Sequence, residues 1–349
     1  MRKLLKYGIL CANLLFVVML FLGVLSLKIS SPFLSYFGLF FLPTVIINVV
    51  FVVFWLFVER KWSLLSMITL LLFSPYLQRN FPTNNPKPND KTDIVLLTYN
   101  VALFNFNTQT RAILNEILLA DADIVCLQEF GFFRENDKRD IVFATLREKY
   151  PYKHVWYKNQ FAKSETGVCT FSKYPIVNKK KIQYDSKNNI SIYSDIVIGK
   201  DTIRVMNNHL ESNKLSDKER EQFNKIEANK ETLNLMERIS QKYSFANQTR
   251  AQQAEVIAKE RDKSPHKTVI CGDFNDVAMS YVYETIRGEM KDVYLETQTG
   301  FEYTFSEGFL RSHIDHILID PSFVAKNCEI KHNPKLSDHS ILIGRFSIK

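Results

Sequence analysis

The sequence contains only five cysteines, and no two of them show the C-x-x-C spacing of a metal site. Cys11 lies in a long apolar run near the N-terminus, whereas Cys126, Cys169 and Cys271 lie within or beside short apolar runs. Small buried thiols are common in such runs. We therefore expect neither a zinc site nor a disulfide framework.

A strong basic surplus is also missing from most of the chain. The formal net charge is +8, but residues 1–91 hold nine Lys or Arg and two Asp or Glu, a net +7. Residues 92–349 hold 36 basic and 35 acidic residues, a net +1. This larger part lacks the overall positive charge of a tight nucleic-acid binder, but its net charge does not exclude a local basic groove. The chain also has no internal repeat.

The N-terminal region contains three long apolar runs, Tyr7–Leu27, Phe33–Val58 and Trp62–Leu77. About 20 apolar residues cross a bilayer, so the first two predict transmembrane helices at about 7–27 and 33–58. The third, at about 62–77, is short and contains Ser74-Pro75, so it is either a third span or an interfacial or re-entrant segment. A cleaved signal peptide is disfavoured, because the first run is too long and a second span follows at once.

Basic residues at the ends of these runs predict their orientation. Arg2, Lys3 and Lys6 precede the first run, and Arg60 and Lys61 follow the second. The positive-inside rule places both points in the cytoplasm, with Lys28 at the outer turn. Three spans then put the rest of the chain outside the cytoplasm, and two spans put it inside. We expect a multi-pass protein of the cell membrane whose lipid contacts are made by these helices, with an extracytoplasmic domain if there are three spans.

Residues 80–91 separate a membrane region at 1–79 from a domain at 92–349. The segment is rich in proline and asparagine, which is typical of a linker. Alternating strand and helix patterns follow it. The predicted helix is Arg111–Ala120, and the predicted strands are Asp93–Tyr99, Asp123–Leu127, Gly167–Phe171, Ser191–Ile198, Thr202–Asn207, Thr268–Cys271, Ile314–Ile319 and Ile341–Phe346.

Residues 218–263 form a charged stretch without Gly or Pro. The pattern predicts two helices with a break near Tyr243–Asn247. Its charges are typical of a solvated face, and a lid beside His209 is the alternative. Mixed strands and helices in one unit of this size indicate two packed sheets flanked by helices.

Short polar motifs lie in or beside the predicted strands, where loops commonly carry catalytic groups. They contain Asn100, Gln128-Glu129, Asn207-Asn208-His209, Gly272-Asp273-Phe274-Asn275, Asp315 and Ser337-Asp338-His339. Each motif alone is also typical of a turn or a strand cap. Two are more telling. Asp315 lies inside an apolar strand and requires a partner, for which His339 is a natural candidate. Glu129 leaves a buried strand, where a carboxylate is suited to a hard cation.

In their order and residue types, these motifs resemble the endonuclease/exonuclease/phosphatase superfamily. The resemblance covers roughly residues 92–349, and it includes the segments Gly167–Ile176 and Arg250–Ala254. It implies a DNase I-like, four-layered α/β/β/α sandwich with the site at one edge of the two sheets. It also implies a divalent metal, Mg²⁺ with Mn²⁺ as an alternative, and cleavage of a phosphate ester by in-line attack of water.

The resemblance further implies roles for individual residues. Glu129 and Asn100 hold the metal, and Asp338 is a further candidate ligand. His209 and Asn275 donate hydrogen bonds to the transition state. Water is activated either by His339, oriented by Asp315, or by Asp273, and the sequence does not separate these two.

One part of the motif pattern departs from many relatives. They carry Arg directly before Ile-Asp, whereas this chain has His313 there and Arg311 two residues earlier. This weakens any inference about substrate contacts on that strand. A second metal between His313 and His316 is disfavoured, because strand alternation sends these side chains to opposite faces.

Together, these observations predict a membrane-anchored, metal-dependent phosphoric-ester hydrolase of the nuclease or phosphodiesterase type. A lipid or small-molecule phosphodiesterase of the sphingomyelinase type is the alternative within the superfamily, so the substrate is a nucleic acid or a phospholipid-like ester. A non-catalytic membrane receptor on the same fold is the alternative of another class. A transporter is disfavoured, because the spans hold no acidic residue and no repeat. No protein partner is implied, and metal-dependent hydrolysis would exclude the receptor and the transporter.

Overall fold

A computed structural model describes residues 2–90, 93–106, 108–133, 135, 137–160, 164–186, 189–223, 230–307 and 310–348. The N-terminal helices are α1 Arg2–Leu25, α2 Pro32–Leu39, α3 Phe41–Val58, α4 Arg60–Leu72 and α5 Ser74–Leu77. Further helices are α6 Ala102–Phe106, α7 Thr110–Leu119, α8 Arg139–Arg147, α9 Asp217–Phe223, α10 Lys230–Asp262, α11 Tyr281–Arg287 and α12 Val293–Thr297. The strands are β1 Ile94–Asn100, β2 Ile124–Phe133, β3 Tyr152–Gln160, β4 Ser164–Ser172, β5 Ile176–Ile182, β6 Ile190–Ile198, β7 Asp201–His209, β8 Lys267–Asp273, β9 Lys291–Asp292, β10 Phe305–Glu307, β11 Leu310–Ser312, β12 Asp315–Ile319, β13 Phe323–Lys331 and β14 Ile341–Ile348.

Two six-stranded sheets form the centre of the domain. The first has the order β13-β14-β1-β2-β4-β3, and the second has the order β5-β6-β7-β8-β12-β9. β1 and β2 pair in parallel, as do β7 and β8, and the other described pairs in these sheets are antiparallel. A short hairpin of β10 and β11 lies apart from both sheets.

Side-chain alternation along the strands builds four layers. Ile94 and Leu96 of β1 face the second sheet, where they pack with Val205 and Val269. The opposite face of the first sheet packs on α7 and α8, and the outer face of the second sheet packs on α10 and α11. Because both sheets are covered on both faces, central strands such as β1 are buried along their whole length. The α/β/β/α sandwich expected from the sequence is confirmed.

The predicted helix and strands are present, with bounds that shift by a few residues. The longer strands that the sequence did not predict lie at sheet edges: β3 and β13 flank one sheet, and β5 begins the other. β5 illustrates the reason, because it reads Ile-Val-Asn-Lys-Lys-Lys-Ile and is largely exposed. An edge strand has one unpaired side and often carries lysines, so the apolar pattern of a buried strand is absent.

In the N-terminal region, two helices are long and apolar enough to cross a membrane, Lys3–Leu25 and Phe41–Val58. The prediction of one helix over about 33–58 was wrong, because the chain breaks at Phe40 between α2 and α3. Pro43 explains the break, since it has no N–H with which to continue helical hydrogen bonding from the preceding turn. The third run also divides, into α4 of 13 residues and α5.

A buried polar network joins α1, α3 and α4. Asn13 Nδ2 donates to Ser66 Oγ at 2.6 Å, and Trp55 Nε1 donates to Asn13 Oδ1 at 3.0 Å. Ser66 Oγ donates to Asn48 Oδ1 at 2.8 Å. These four residues are buried, so the hydrogen bonds specify how the three helices pack.

The polarity of α4 is the reverse of that of a soluble helix. Its buried residues are Ser63, Ser66 and Thr69, one on each successive turn. Its exposed residues include large apolar side chains: Leu64, Met67, Ile68, Leu71 and Leu72. A water-exposed helix normally buries its apolar stripe, so α4 shows the opposite arrangement.

The N-terminal helices form a bundle with two distinct ends. At one end, Lys6 at the start of α1 pairs with Glu59, between α3 and α4. At the other end, Leu20 and Phe41 pack with Met279 of the sandwich domain. Leu70 and Phe73, at the end of α4, pack against this second cluster. α4 therefore runs the length of the bundle, from the basic end to the end that contacts the domain.

The predicted break near Tyr243–Asn247 is absent, and α10 continues through these residues for 33 residues in all. Tyr243 and Asn247 are buried, and the Tyr243 ring lies 4.9 Å from that of Tyr36 in α2. This packing stabilises the helix where its intrinsic preference is weak. The predicted linker at 80–91 is described as far as residue 90. Asn84 and Lys87 hydrogen-bond the domain, so this segment follows the domain surface.

Candidate functional site

Strand register brings the predicted catalytic side chains to one edge of the sandwich. Asp273 at the end of β8 lies opposite Asp315 of β12 and opposite His209 of β7. β1 of the other sheet ends at Asn100, which crosses to the same point. The ends of strands from two sheets therefore converge, as expected for a site at the open edge of a layered fold.

Asp273 is the centre of this group and is 1% exposed. Its Oδ2 accepts a hydrogen bond from Asn100 Nδ2 at 3.1 Å, and it lies 3.8 Å from His209 Nε2 and 3.6 Å from His339 Nε2. Its Oδ1 accepts from the backbone N–H of Asn275 at 2.8 Å. A single carboxylate thus contacts most of the predicted catalytic residues.

The predicted pairing of Asp315 and His339 is present. Asp315 Oδ2 lies 2.9 Å from His339 Nδ1, and both side chains are buried. Thr304 supports the pair, because its hydroxyl accepts from the backbone N–H of Asp315 at 2.9 Å. The ring of Phe305 lies 5.0 Å from that of His339. The dyad fixes the histidine ring so that Nε2 faces Asp273.

Glu129 lies in a β-bulge and not at the end of a strand, which corrects the expectation. β2 continues to Phe133, and its pairing with β4 shifts between Leu127 and Phe130. The bulge turns the Glu129 carboxylate out of the buried strand, so its side chain is 38% exposed and lies 3.8 Å from His209 Nε2. Bulges beside active sites commonly re-aim a side chain in this way.

Two of the candidate site residues have strained backbone conformations. Glu129 and Asn275 adopt positive φ values of 46° and 52°, which side chains other than glycine rarely take. Asn275 Nδ2 donates to the carbonyl of Leu210 at 3.0 Å and so holds its loop. Gly272 precedes the loop at φ +123°, where an added Cβ would overlap the carbonyl oxygen of Asn208. Strain at two candidate site residues supports a functional role for this edge.

Burial and charge shift the pKa values of the group. Burial raises the pKa of Asp273, against the effect of His339. Burial lowers the pKa of His209. Burial also opposes charge on His339, but the carboxylates of Asp315 and Asp273 raise the pKa of His339 well above its usual range. A carboxylate with a raised pKa is a stronger base, and a charged histidine is a stronger hydrogen-bond donor.

A buried amide pair beneath the site joins the two sheets. Gln128 Nε2 donates to Asn207 Oδ1 at 2.7 Å and to Thr98 Oγ1 at 3.0 Å. Asn207 Nδ2 donates to the carbonyl of Cys169 at 3.0 Å. The motifs contained these amides, but only their position between the sheets assigns them a structural role. Thr304 had no motif that could have indicated it.

The expectation that the side chains of His313 and His316 point to opposite faces was wrong. Their ring centroids lie 5.1 Å apart, because β12 begins at Asp315 and His313 precedes it, outside the strand alternation. His316 Nδ1 lies 3.3 Å from Asp292 Oδ2, which also accepts from Tyr283. The cluster is built into the core between α11, α12 and β12.

The donor set suits a divalent cation. Donor atoms of Asp273, Asp315 and His339 lie within 4.8 Å of one another. Within this group, Asp315 Oδ2 and His339 Nδ1 already form a hydrogen bond with each other. The partly exposed Glu129 offers carboxylate oxygens of the kind that Mg²⁺ prefers. The amide oxygen of Asn100 is a further candidate, and it accepts a hydrogen bond from the backbone N–H of Ala102 at 3.1 Å. Asp338 is half-buried and precedes His339. Ser337 Oγ lies 3.4 Å from Asp338 Oδ1.

Comparison with known proteins agrees with this arrangement. A model of the Endonuclease/Exonuclease/phosphatase family matches residues 97–339, and a model of a domain of unknown function matches residues 2–80. No curated protein matches the chain significantly. The family match covers more than half of the chain and spans every motif residue of the site.

Solved structures share the fold at low sequence identity. An endonuclease/exonuclease/phosphatase from Bacteroides vulgatus has a TM-score of 0.54 and 20% identity, over 74% of this chain and 100% of that one. D. rerio TDP2 with single-strand DNA product has a TM-score of 0.52 and 15% identity, over 74% and 100%. The catalytic domain of human nocturnin, with a bound sulfate anion, has a TM-score of 0.51 and 18% identity, over 77% and 96%. At these identities the likeness concerns the fold, and the family assignment comes from the sequence model and the site. The chain belongs to the endonuclease/exonuclease/phosphatase family of phosphoesterase enzymes.

Proposed function

We propose that this protein is a membrane-anchored, divalent-metal-dependent phosphodiesterase. The observation that carries the proposal is the convergence of His209 Nε2 and His339 Nε2 on Asp273 Oδ2, both within 4 Å. His209 Nε2 is buried and has no hydrogen-bond partner among the residues that the structure describes. A buried nitrogen without a partner is costly unless a ligand completes its bonding. A phosphate ester is such a ligand, because its oxygens accept hydrogen bonds.

The arrangement supports a division of roles among the site residues. Asp273 is central, and we assign to it the orientation and deprotonation of the attacking water. His339, held by Asp315, and His209 donate to the phosphoryl oxygens, where negative charge develops. Asn275 keeps the loop after Asp273 in place through its bond to Leu210.

Glu129 and Asn100 would hold the metal, with Asp338 as a further candidate ligand. The bound cation would stabilise negative charge on the phosphate. Mg²⁺ is the proposed ion, with Mn²⁺ as an alternative, because the donors are oxygens.

Two substrate classes remain in the proposal. A nucleic-acid phosphodiester is supported by the TDP2 structure with a single-strand DNA product. A lipid phosphodiester is supported by this chain, because its apolar N-terminal helices contact residues 277–284, directly after the Asn275 loop. Both classes contain the same reacting group.

Metal removal and a matched carboxylate pair test the proposal. The full-length protein in detergent is expected to hydrolyse a soluble phosphodiester with Mg²⁺ and to lose turnover in EDTA. Glu129→Gln is expected to lower kcat by about 10³-fold or more, since metal stabilisation is worth several kcal/mol. Glu329→Gln, at an exposed position of the edge strand β13, should retain wild-type turnover. DNA and phospholipid vesicles, assayed in parallel, identify the substrate class. Equal turnover with and without metal would contradict the proposal.

We further propose that the bundle crosses the membrane three times and that the domain is extracytoplasmic. The reversed polarity of α4 and its hydrogen bonds to α1 and α3 support a third crossing. α4 has 13 residues, which is short for a span, but only one residue separates it from α5, so the two helices together cover residues 60–77. The basic residues at 2–6 and 60–61 lie at the end opposite the domain, which the positive-inside rule assigns to the cytoplasm.

Reporter fusions after Lys349 test this orientation in a bacterial host. Alkaline phosphatase, which folds only outside the cytoplasm, is expected to be active, and green fluorescent protein to be dark. A fluorescent and phosphatase-negative pair would instead place the domain inside. As a control, the same reporters fused after Lys61 should give the reverse result, since that point lies at the basic end.

A further inference from the structure

The N-terminal bundle incorporates a residue from the catalytic domain into its own core. Met279 is 1% exposed and packs against Leu20, Leu27, Phe41 and Val45 of the bundle. A linker that served only as a tether would leave the surfaces of domain and bundle separate. Here the apolar contact is shared, so neither part is complete without the other.

Polar contacts surround this apolar contact. Arg79, just after α5, donates to the carbonyl of Ala278 at 3.2 Å and pairs with Glu284 at 2.7 Å. Lys28, at the turn between α1 and α2, lies 3.4 Å from the same Glu284 carboxylate. Gly38 of α2 is pressed against the carbonyl of Met279, and a Cβ at this position would overlap it.

A second contact lies on α10. Tyr36 Oη donates to the carbonyl of Ser240 at 3.0 Å, and Tyr243 Oη donates to the carbonyl of Ser35 at 3.4 Å. The guanidinium of Arg250, one to two turns further along α10, lies 5.7 Å from the centre of the Tyr243 ring. Two separate elements of the domain therefore rest on the short helix α2.

Both contacts lead to the catalytic loop. Asp276 directly follows Asn275, and its carboxylate lies 3.4 Å from Arg250 Nε and 3.4 Å from Asn247 Nδ2 of α10. Only three residues separate Asn275 from Met279. The loop that carries Asn275 at positive φ is thus fixed on one side by the bundle and on the other by α10.

We infer that the membrane bundle is a positioning element of the active site, which holds residues 273–276 in place with Asn275 at positive φ, and not only an anchor. The inference rests on the proposed function. The strained backbone at Asn275 persists only while its surroundings constrain it, and the shared core at Met279 supplies part of that constraint. A change in bundle packing would then alter the placement of Asp273 and Asn275.

Two matched glycines provide the test, in the full-length protein reconstituted in lipid nanodiscs. Gly38→Val introduces a side chain against Met279, whereas Gly8→Val, on α1, meets no atom within 4 Å. Gly38→Val is expected to accelerate amide hydrogen exchange across 272–284 and to lower kcat on a soluble phosphodiester by about tenfold to a hundredfold, with little change in KM. Gly8→Val should match wild type in both measurements.

A second pair of substitutions, less disruptive than the valines, keeps the inference testable if Gly38→Val does not fold. Arg79→Gln removes the bonds to Ala278 and Glu284, and Arg60→Gln removes an arginine at the opposite end of the bundle. Arg79→Gln alone should show faster exchange across 272–284 and a lower kcat. Unchanged exchange in both Gly38→Val and Arg79→Gln would overturn the inference, as would an equal increase across β2. If both variants show faster exchange across 272–284 but the wild-type protein itself has no turnover, the inference is supported and the proposed function is refuted.

Discussion

Replacing Asp273 with asparagine is expected to abolish turnover almost completely while leaving the fold intact. The carboxylate is the point at which His209, His339 and Asn100 meet, and the proposed base is lost with it. General-base catalysis contributes about 10²- to 10⁴-fold, so kcat should fall by about 10³-fold or more with little change in KM. Steady-state kinetics on a soluble phosphodiester measure this loss.

The same substitution should preserve or raise thermal stability. Asp273 is buried among other charged groups, and a buried carboxylate costs free energy that a neutral amide does not. Asp320→Asn is the matched control, since that carboxylate accepts local bonds from Ser322 away from the site. A variant that retains most of its turnover would exclude Asp273 as the base and favour His339, the alternative that the sequence left open.

Replacing Gly272 with alanine is expected to destabilise the domain by about 3 kcal/mol or more. Two costs combine, the backbone strain of a side chain at φ +123° and the overlap of its Cβ with the carbonyl of Asn208. The overlap would separate β7 from β8, which are paired at this point and end at His209 and Asp273. Thermal unfolding of the full-length protein in detergent gives the change in stability.

Gly199 separates the two costs. It has φ +62° and no atom within 4 Å of an added Cβ, so Gly199→Ala carries backbone strain without overlap. A loss of about 1 kcal/mol is expected there, from strain alone. If Gly272→Ala were no more destabilising than Gly199→Ala, close strand approach would not be the reason for glycine in this motif.

The central strands and the motif residues could be predicted from the sequence because their signals are local. Strands such as β1 and β8 are buried on both faces, and each contains a short apolar run, Ile-Val-Leu-Leu in β1 and Val-Ile-Cys in β8. The polar residues Asn100 and Asp273 end these two strands, and the family resemblance supplied their relative order. Asp315 was informative because a carboxylate inside an apolar strand requires a partner.

Features that depend on distant contacts could not be predicted in this way. The edge strand β5 is largely exposed and lacks a buried pattern, and the bulge at Glu129 arises from pairing with β4. The continuity of α10 through Tyr243 depends on packing against Tyr36. Each of these is stabilised by a neighbour far away in the sequence.

The N-terminal helices show the same division most clearly. Their apolar runs predicted membrane-crossing helices from length and hydropathy alone, and two helices long and apolar enough are present. No run of letters indicated that Met279 would lie in their core or that Gly38 would contact its carbonyl. Hydropathy and the residue types of a motif are local properties, so the sequence shows them directly. Contacts between two surfaces depend on the tertiary structure of the whole chain.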